Sequence, residues 1–165
     1  MSSRRPNRPK ANGIAQEVDS VTIQHMEHVG IVVEDLEAAT AFFVALGLEI
    51  EGTGFVEGEF VEAVCGIAGA KCEIAMLRPP GGGSGLEVAS FVTPDHVLGS
   101  PTAMANELGL RNVSFEVGDL DAAVDAVAAD GYALIGGIGE YEHSVRMAYV
   151  RGPEGIIVSL FEQIG

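Results

Sequence analysis

The groups in this chain that can do chemistry are few and spread out. His28 opens an apolar, β-branched run, HVGIVV. Glu87 lies between Leu86 and Val88, so strand alternation turns its carboxylate away from two apolar neighbours. Imidazole and carboxylate are the side chains that move protons near neutral pH or hold a divalent ion. Buried without a cation, the Glu87 carboxyl would have its pKa raised, which suits it to general acid or base work. A second pair of good donors, Glu142 and His143, stands in the run Tyr141-Glu142-His143 before another apolar strand. Tyr141 and Tyr149 are candidates to contact a ring. Beyond position 10 the basic residues are Lys71, Arg78, Arg111, Arg146 and Arg151, so the counter-ion of an anionic substrate must come from these five. Arg111 and Arg146 can each hold a carboxylate or phosphate, or pair with surface acids. His25 reads as a surface residue, and His96, after Pro94-Asp95, as a loop residue near a pocket mouth. No Ser-His-Asp or Cys-His arrangement is assignable by motif, which gives nucleophilic catalysis little weight.

These residues must be positioned by a repeated unit. The segment HVGIVVEDLEAATAFFVALGLEI from His28 aligns without a gap on NVSFEVGDLDAAVDAVAADGYAL from Asn112, an offset of 84 residues. Each copy reads as a strand, an aspartate (Asp35 or Asp119) able to cap a helix, the helix, and a closing glycine (Gly47 or Gly131). In the first copy Leu36, Ala39, Phe43 and Leu46 form one apolar stripe at helical spacing. Further strands are expected at Glu49 to Thr53, Phe60 to Cys65, Lys71 to Leu77 and Leu86 to Phe91. In the second half they are expected at Ala133 to Gly136, Val145 to Val150 and Ile156 to Phe161. Gly152-Pro153-Glu154-Gly155 reads as the last hairpin turn. The loop Pro79 to Gly85 lies between strands and has neither a following helix nor a lysine, so it reads as a connection rather than a phosphate cradle.

The fold class is α+β: two βαβββ modules forming a cupped, barrel-like mixed sheet with helices outside. The expected boundaries are a disordered basic arm at 1–23, a first module at 24–92, a linker at 93–109 and a second module at 110–165. Hydrophobic residues make up 47% of the 165, enough for one core and too many for a mainly disordered chain. No apolar run approaches the roughly 20 residues of a membrane span. Four of the nine basic residues fall in the first ten positions, leaving 5 basic against 24 acidic residues beyond them. Such a body repels nucleic acid and anionic membrane surfaces. Cys65 and Cys72 are too few for a disulfide framework and are expected as buried strand residues in a reducing cytoplasm.

Paired βαβββ modules, with HVGIVVEDLEAATAFF at the start and RGPEGIIVSLFEQ at the end, resemble the vicinal oxygen chelate superfamily. It includes glyoxalase I, methylmalonyl-CoA epimerase, extradiol dioxygenases, fosfomycin-resistance enzymes and bleomycin-binding proteins. The resemblance spans about His25 to Gln163. In metal-dependent members each module supplies a histidine from its first strand and a carboxylate from its last. Carried over, this implies His28 and Glu87 as metal ligands in module one. Module two departs at both places: Asn112 stands for the histidine and Ser159 for the carboxylate. The internal repeat also sets Asn112 opposite His28 and Ser159 opposite Glu87.

The resemblance therefore implies a glyoxalase-type enzyme. A divalent ion (Zn, Ni, Mn, Co or Fe(II)) on His28 and Glu87 would polarise neighbouring substrate oxygens in lyase, isomerase, epimerase or dioxygenase chemistry. Glu142 or His143 would complete the site or move the proton, and Asn112, Arg146, Tyr141, Tyr149 and Ser159 would contact the substrate. Two alternatives stay open: a metal-free drug- or metabolite-binding protein resembling bleomycin resistance proteins, and a metal-free enzyme with Glu87 as base. A homodimer with a small-molecule ligand, without nucleic acid or membrane, completes the expectation.

Overall fold

The computed structural model describes residues 23–165. The expectation for the arm falls on residues 1–22 and lies outside the described residues. Both copies of the repeat fold as expected at their start. Strand β1 (His28–Val32) leads into helix α1 (Leu36–Ala45), and β5 (Asn112–Glu116) into α3 (Leu120–Ala129). Asp35 accepts from the Ala38 amide and Asp119 from the Ala122 amide, each at 2.9 Å, satisfying a free N–H of the first turn. At the other end Gly47 (φ +100°) and Gly131 (φ +87°) sit in the left-handed region. Their amides reach the Val44 and Ala128 carbonyls while Leu48 and Tyr132 reach Phe43 and Val127, the paired bonds of a Schellman motif.

Module one adds β2 (Glu49–Glu57), helix α2 (Glu59–Cys65), β3 (Lys71–Arg78) and β4 (Gly85–Thr93) in a mixed sheet of order β1-β4-β3-β2. Module two adds β6 (Ala133–Leu134), β7 (Gly139–Tyr141), β8 (Val145–Arg151) and β9 (Ile157–Gln163) in the order β5-β9-β8-β6, with β7 also on β8. In each sheet the first strand runs parallel to the last and the remaining pairs are antiparallel. The result is two sheets rather than a closed barrel.

Three sequence expectations change. Phe60 to Cys65 is helical, not a strand: Phe60 and Val64 stand one helical turn apart, and Gly66 (φ +71°) closes the segment in a conformation only glycine adopts cheaply. Cys65 therefore ends a helix and is exposed, while Cys72 is buried in β3 as expected. In module two β7 escaped the sequence reading because GEY is three residues long and fully exposed, leaving no alternation to detect.

One core joins the modules. Leu77, Leu86 and Val88 of the first sheet and Val150, Val158 and Leu160 of the second pack with Phe42, Phe43, Leu120 and Val127 of the helices. Phe42 meets Tyr132 edge-on at 4.9 Å, and Phe43 meets Phe115 at 6.4 Å. Gly152 is required at this junction, since a Cβ there would lie 2.8 Å from the Phe42 ring.

Candidate functional site

Strand alternation decides which residues face away from the core. Val29, Ile31 and Val33 pack inward, as do Leu86 and Val88, so His28, Gly30, Val32 and Glu87 share the opposite face. The parallel register sets His28 against Gly85 and Gly30 against Glu87. His28 and Glu87 are thus diagonal neighbours on that face. In module two Val113, Phe115, Val158 and Leu160 pack inward. Asn112, Ser114 and Ser159 share the opposite face, where Ser159 is nonetheless buried, with Ser114 directly against Ser159 and Ser159 against Tyr149. The row Gly30–Glu87–Met76 of module one is therefore answered by Ser114–Ser159–Tyr149 in module two. This register supports the pairing of Ser159 with Glu87 and adds Ser114, which the sequence reading passed over.

His28 turns Nδ1 onto the Glu27 carboxylate, which leaves Nε2 free. The hydrogen bond from His28, helped by the nearby Arg78 guanidinium, holds the Glu27 carboxyl below its usual range. Arg78 is held in turn by Glu51 at 2.7 Å.

The remaining candidates sit elsewhere. Glu142 (φ +47°) and His143 (φ +54°) form the exposed turn between β7 and β8, where His143 hydrogen-bonds Glu140 at 2.6 Å and is 96% exposed. Among the described residues no three His, Cys, Asp or Glu side chains gather as a metal-holding group. The structure thus does not bring Glu142 or His143 to His28 and Glu87: their turn lies on the far side of β8 from β9 and β5. Arg146 is also redirected. It shares a face with Ala148 and Val150, and both its terminal nitrogens donate to Asp121 of α3, at 2.9 and 2.8 Å, with Glu162 at 3.2 Å. It is committed to an ion-pair cluster rather than held free for a ligand. Tyr141 is exposed, and Tyr149 lines a shallow depression with Ile135 and Met147.

Open clefts lie between the modules. A cleft of about 300 Å³ separates β1 from β5 and is lined by Gly30, Val32, Arg111, Asn112, Glu154 and Ile156, among others. A second, of about 240 Å³, shares Val32, Glu154 and Ile156 and is closed by His96 and Pro101 of the linker. His96 is 19% exposed and its Nε2 lies 3.4 Å from the Ser90 hydroxyl, so it does line a pocket wall. Between the two clefts Glu154 accepts from the amides of Glu34 and Asp35 at 2.8 to 2.9 Å, tying the last turn of module two to the entrance of α1. Of the expected site residues, Asn112 alone lines these two clefts.

Residues 27–149 match the family model of the Glyoxalase/Bleomycin resistance protein/Dioxygenase superfamily. The chain belongs to this superfamily. A glyoxalase family protein from Bacillus cereus is 40% identical, with a TM-score of 0.84 over 87% of this chain and 97% of its own. A glyoxylase/bleomycin resistance protein/dioxygenase domain from Frankia sp. EAN1pec is 18% identical, with a TM-score of 0.62 over 86% and 99%. The fosfomycin resistance protein FosX of Listeria monocytogenes is 15% identical, with a TM-score of 0.57 over 87% and 95%. No curated protein matches the chain. The superfamily includes metalloenzymes and resistance proteins, and its members bind small molecules. No helix among the described residues is long and apolar enough to cross a membrane.

The donor set of this glyoxalase-superfamily chain does not fit a catalytic divalent ion well. Module one offers an imidazole and a carboxylate, but at the corresponding places module two carries an amide and a buried hydroxyl. Catalytic sites for zinc and similar ions draw about three strong protein ligands. Neutral amide and hydroxyl oxygens are poor substitutes.

Proposed function

We propose that this protein binds a small metabolite or drug-like molecule in the cleft between its modules, without needing a metal ion. The observation carrying this reading is the replacement of both module-two ligand positions by Asn112 and Ser159, with a cleft that Asn112 itself lines. Gly30 keeps the β1 wall of the cleft low, Val32 and Ile156 supply apolar surface, and Asn112 supplies a directional polar group, the usual mix for a ligand site. The exposed apolar side chains Phe60, Val64, Val97 and Leu98 support a homodimer. The free thiols of Cys65 and Cys72 suit a reducing cytoplasm.

A second reading is a glyoxalase-type metalloenzyme of the lyase, isomerase or dioxygenase kind, with His28 and Glu87 as ligands. It is favoured by their diagonal placement and by Glu27, which holds His28 Nδ1 in the way carboxylates orient metal-binding imidazoles. Fragment screening by amide NMR on chelator-treated protein separates the two. The binding reading expects ligands that shift the Gly30, Asn112 and Ile156 amides with the same affinity whether or not Zn, Mn, Ni or Fe(II) is added. Ligands that engage only after metal addition would overturn it.

A further inference from the structure

In a body with 24 acidic and five basic residues, a cation without an acid needs a reason. Four of the five are engaged. Lys71 pairs with Glu57 at 2.8 Å, Arg78 with Glu51 at 2.7 Å and Arg146 with Asp121 at 2.8 Å. Arg151 donates to the Pro101 and Ala103 carbonyls at 3.1 and 2.9 Å. Arg111 is the exception: among the described residues it has no ion pair, and its buried Nε–H has no acceptor. Buried donors are almost always satisfied, so the Arg111 Nε–H, like the Thr40 hydroxyl, is left for water or a ligand to satisfy, and of the two only Arg111 lines a cleft.

The repeat accounts for the vacancy. Counting by the 84-residue offset, Arg111 takes the place of Glu27. By the strand registers, Arg151 in β8 takes the place of Arg78 in β3. Module one fills these two places with an acid and a base, Glu27 and Arg78, 3.4 Å apart. Module two fills both with arginine, so the partner that Glu27 would supply is missing. Arg111 also lines the cleft between β1 and β5, next to Asn112. The nearest acid in that lining, Glu154, is already occupied by the amides of Glu34 and Asp35.

We propose that the ligand of this cleft carries an oxyanion, a carboxylate or a phosphate, with Arg111 as its counter-ion and the Asn112 amide as a second donor. The proposal rests on the binding reading above and narrows its ligand class. A guanidinium meets either oxyanion with two parallel N–H donors, and a cleft of about 300 Å³ suits a small metabolite.

The test is an NMR titration of the full chain in chelator with inorganic phosphate and, separately, with succinate. At least one probe is expected to shift the Gly30, Asn112 and Ile156 amides saturably. The Arg111 Nε–Hε resonance of the unaltered chain should follow the same isotherm. Affinity should fall at least tenfold in Arg111→Gln and stay the same in Lys71→Gln. Which probe saturates identifies the oxyanion. The proposal is overturned if neither probe saturates, if Arg111 Nε–Hε does not move, or if a natively folded Arg111→Gln binds as well as the parent. Uncharged fragments that shift the same amides while both anions fail would sink the anion assignment and leave the binding reading standing. A cleft untouched by any probe would remove both.

Discussion

The two modules share a backbone plan and differ in what they present on it. On the sheet face turned from the core, module one carries His28 and Glu87 where module two carries Asn112 and Ser159. At the strand ends, module one carries the pair Glu27 and Arg78 where module two carries Arg111 and Arg151. Module one is thus the half that carries metal-type donors, and module two the half that carries neutral hydrogen-bonding groups and a cation with no ion pair among the described residues. Even the helix entrances differ. The start of α1 receives the Glu154 carboxylate from the other module at 2.8 Å, while the start of α3 has Glu162 of its own module at 3.4 Å. The two halves share the caps and closing glycines that fold them, and differ on the sheet face turned from the core and at the strand ends.

Several substitutions break or sharpen this contrast. The largest effect is expected from Phe42→Ala, which empties the aromatic junction with Phe43 and Tyr132. Chemical denaturation should show a loss of about 3–5 kcal/mol. Removing the inter-module tie with Glu154→Ala should cost about 2 kcal/mol in the same assay, since it strips a charged acceptor from two backbone amides. A cost within error of zero would show that the modules need no tie beyond their core.

Asn112→His restores one lost donor opposite His28. Calorimetric titration with Zn or Mn should show at least about a tenfold gain in affinity, worth about 1.4 kcal/mol. The smallest effect is electrostatic. The hydrogen bond from Arg146 holds Asp121 below its ordinary value of 3.8. A carboxyl depressed in the folded state stabilises above its unfolded pKa and loses that contribution as pH falls through the folded one. Arg146→Gln should therefore lower Tm slightly at pH 7, with a deficit that fades as pH drops below about 3.8. A deficit that grows on acidification would contradict the sign.

Much of this was legible in the residues themselves. The caps at Asp35 and Asp119 and the glycines at 47 and 131 act within a few residues, so their signals survive in sequence. The repeat carried the pairing of His28 with Asn112. Segments whose structure depends on distant partners were harder. Phe60 to Cys65 has an apolar content that suits strand or helix, and only Gly66 in the left-handed region decides it. For Arg146 the sequence leaves substrate binding and pairing with acids both open, because Asp121 and Glu162, its actual partners, lie 25 and 16 residues away. Arg111 gave the opposite case: its lack of an acid among the described residues becomes visible only when the surrounding strands have been placed.

Whether the chain handles its ligand without a resident ion is decided by a metal titration. Chelator-stripped protein and His28→Ala would be titrated calorimetrically with Zn, Mn, Ni and, anaerobically, Fe(II). A metal-independent site gives at most weak binding to the parent, with a Kd of about 1 mM or weaker, and little change in His28→Ala. One ion per chain bound tightly, and lost in His28→Ala, would contradict it and restore His28 and Glu87 as the core of a metalloenzyme site.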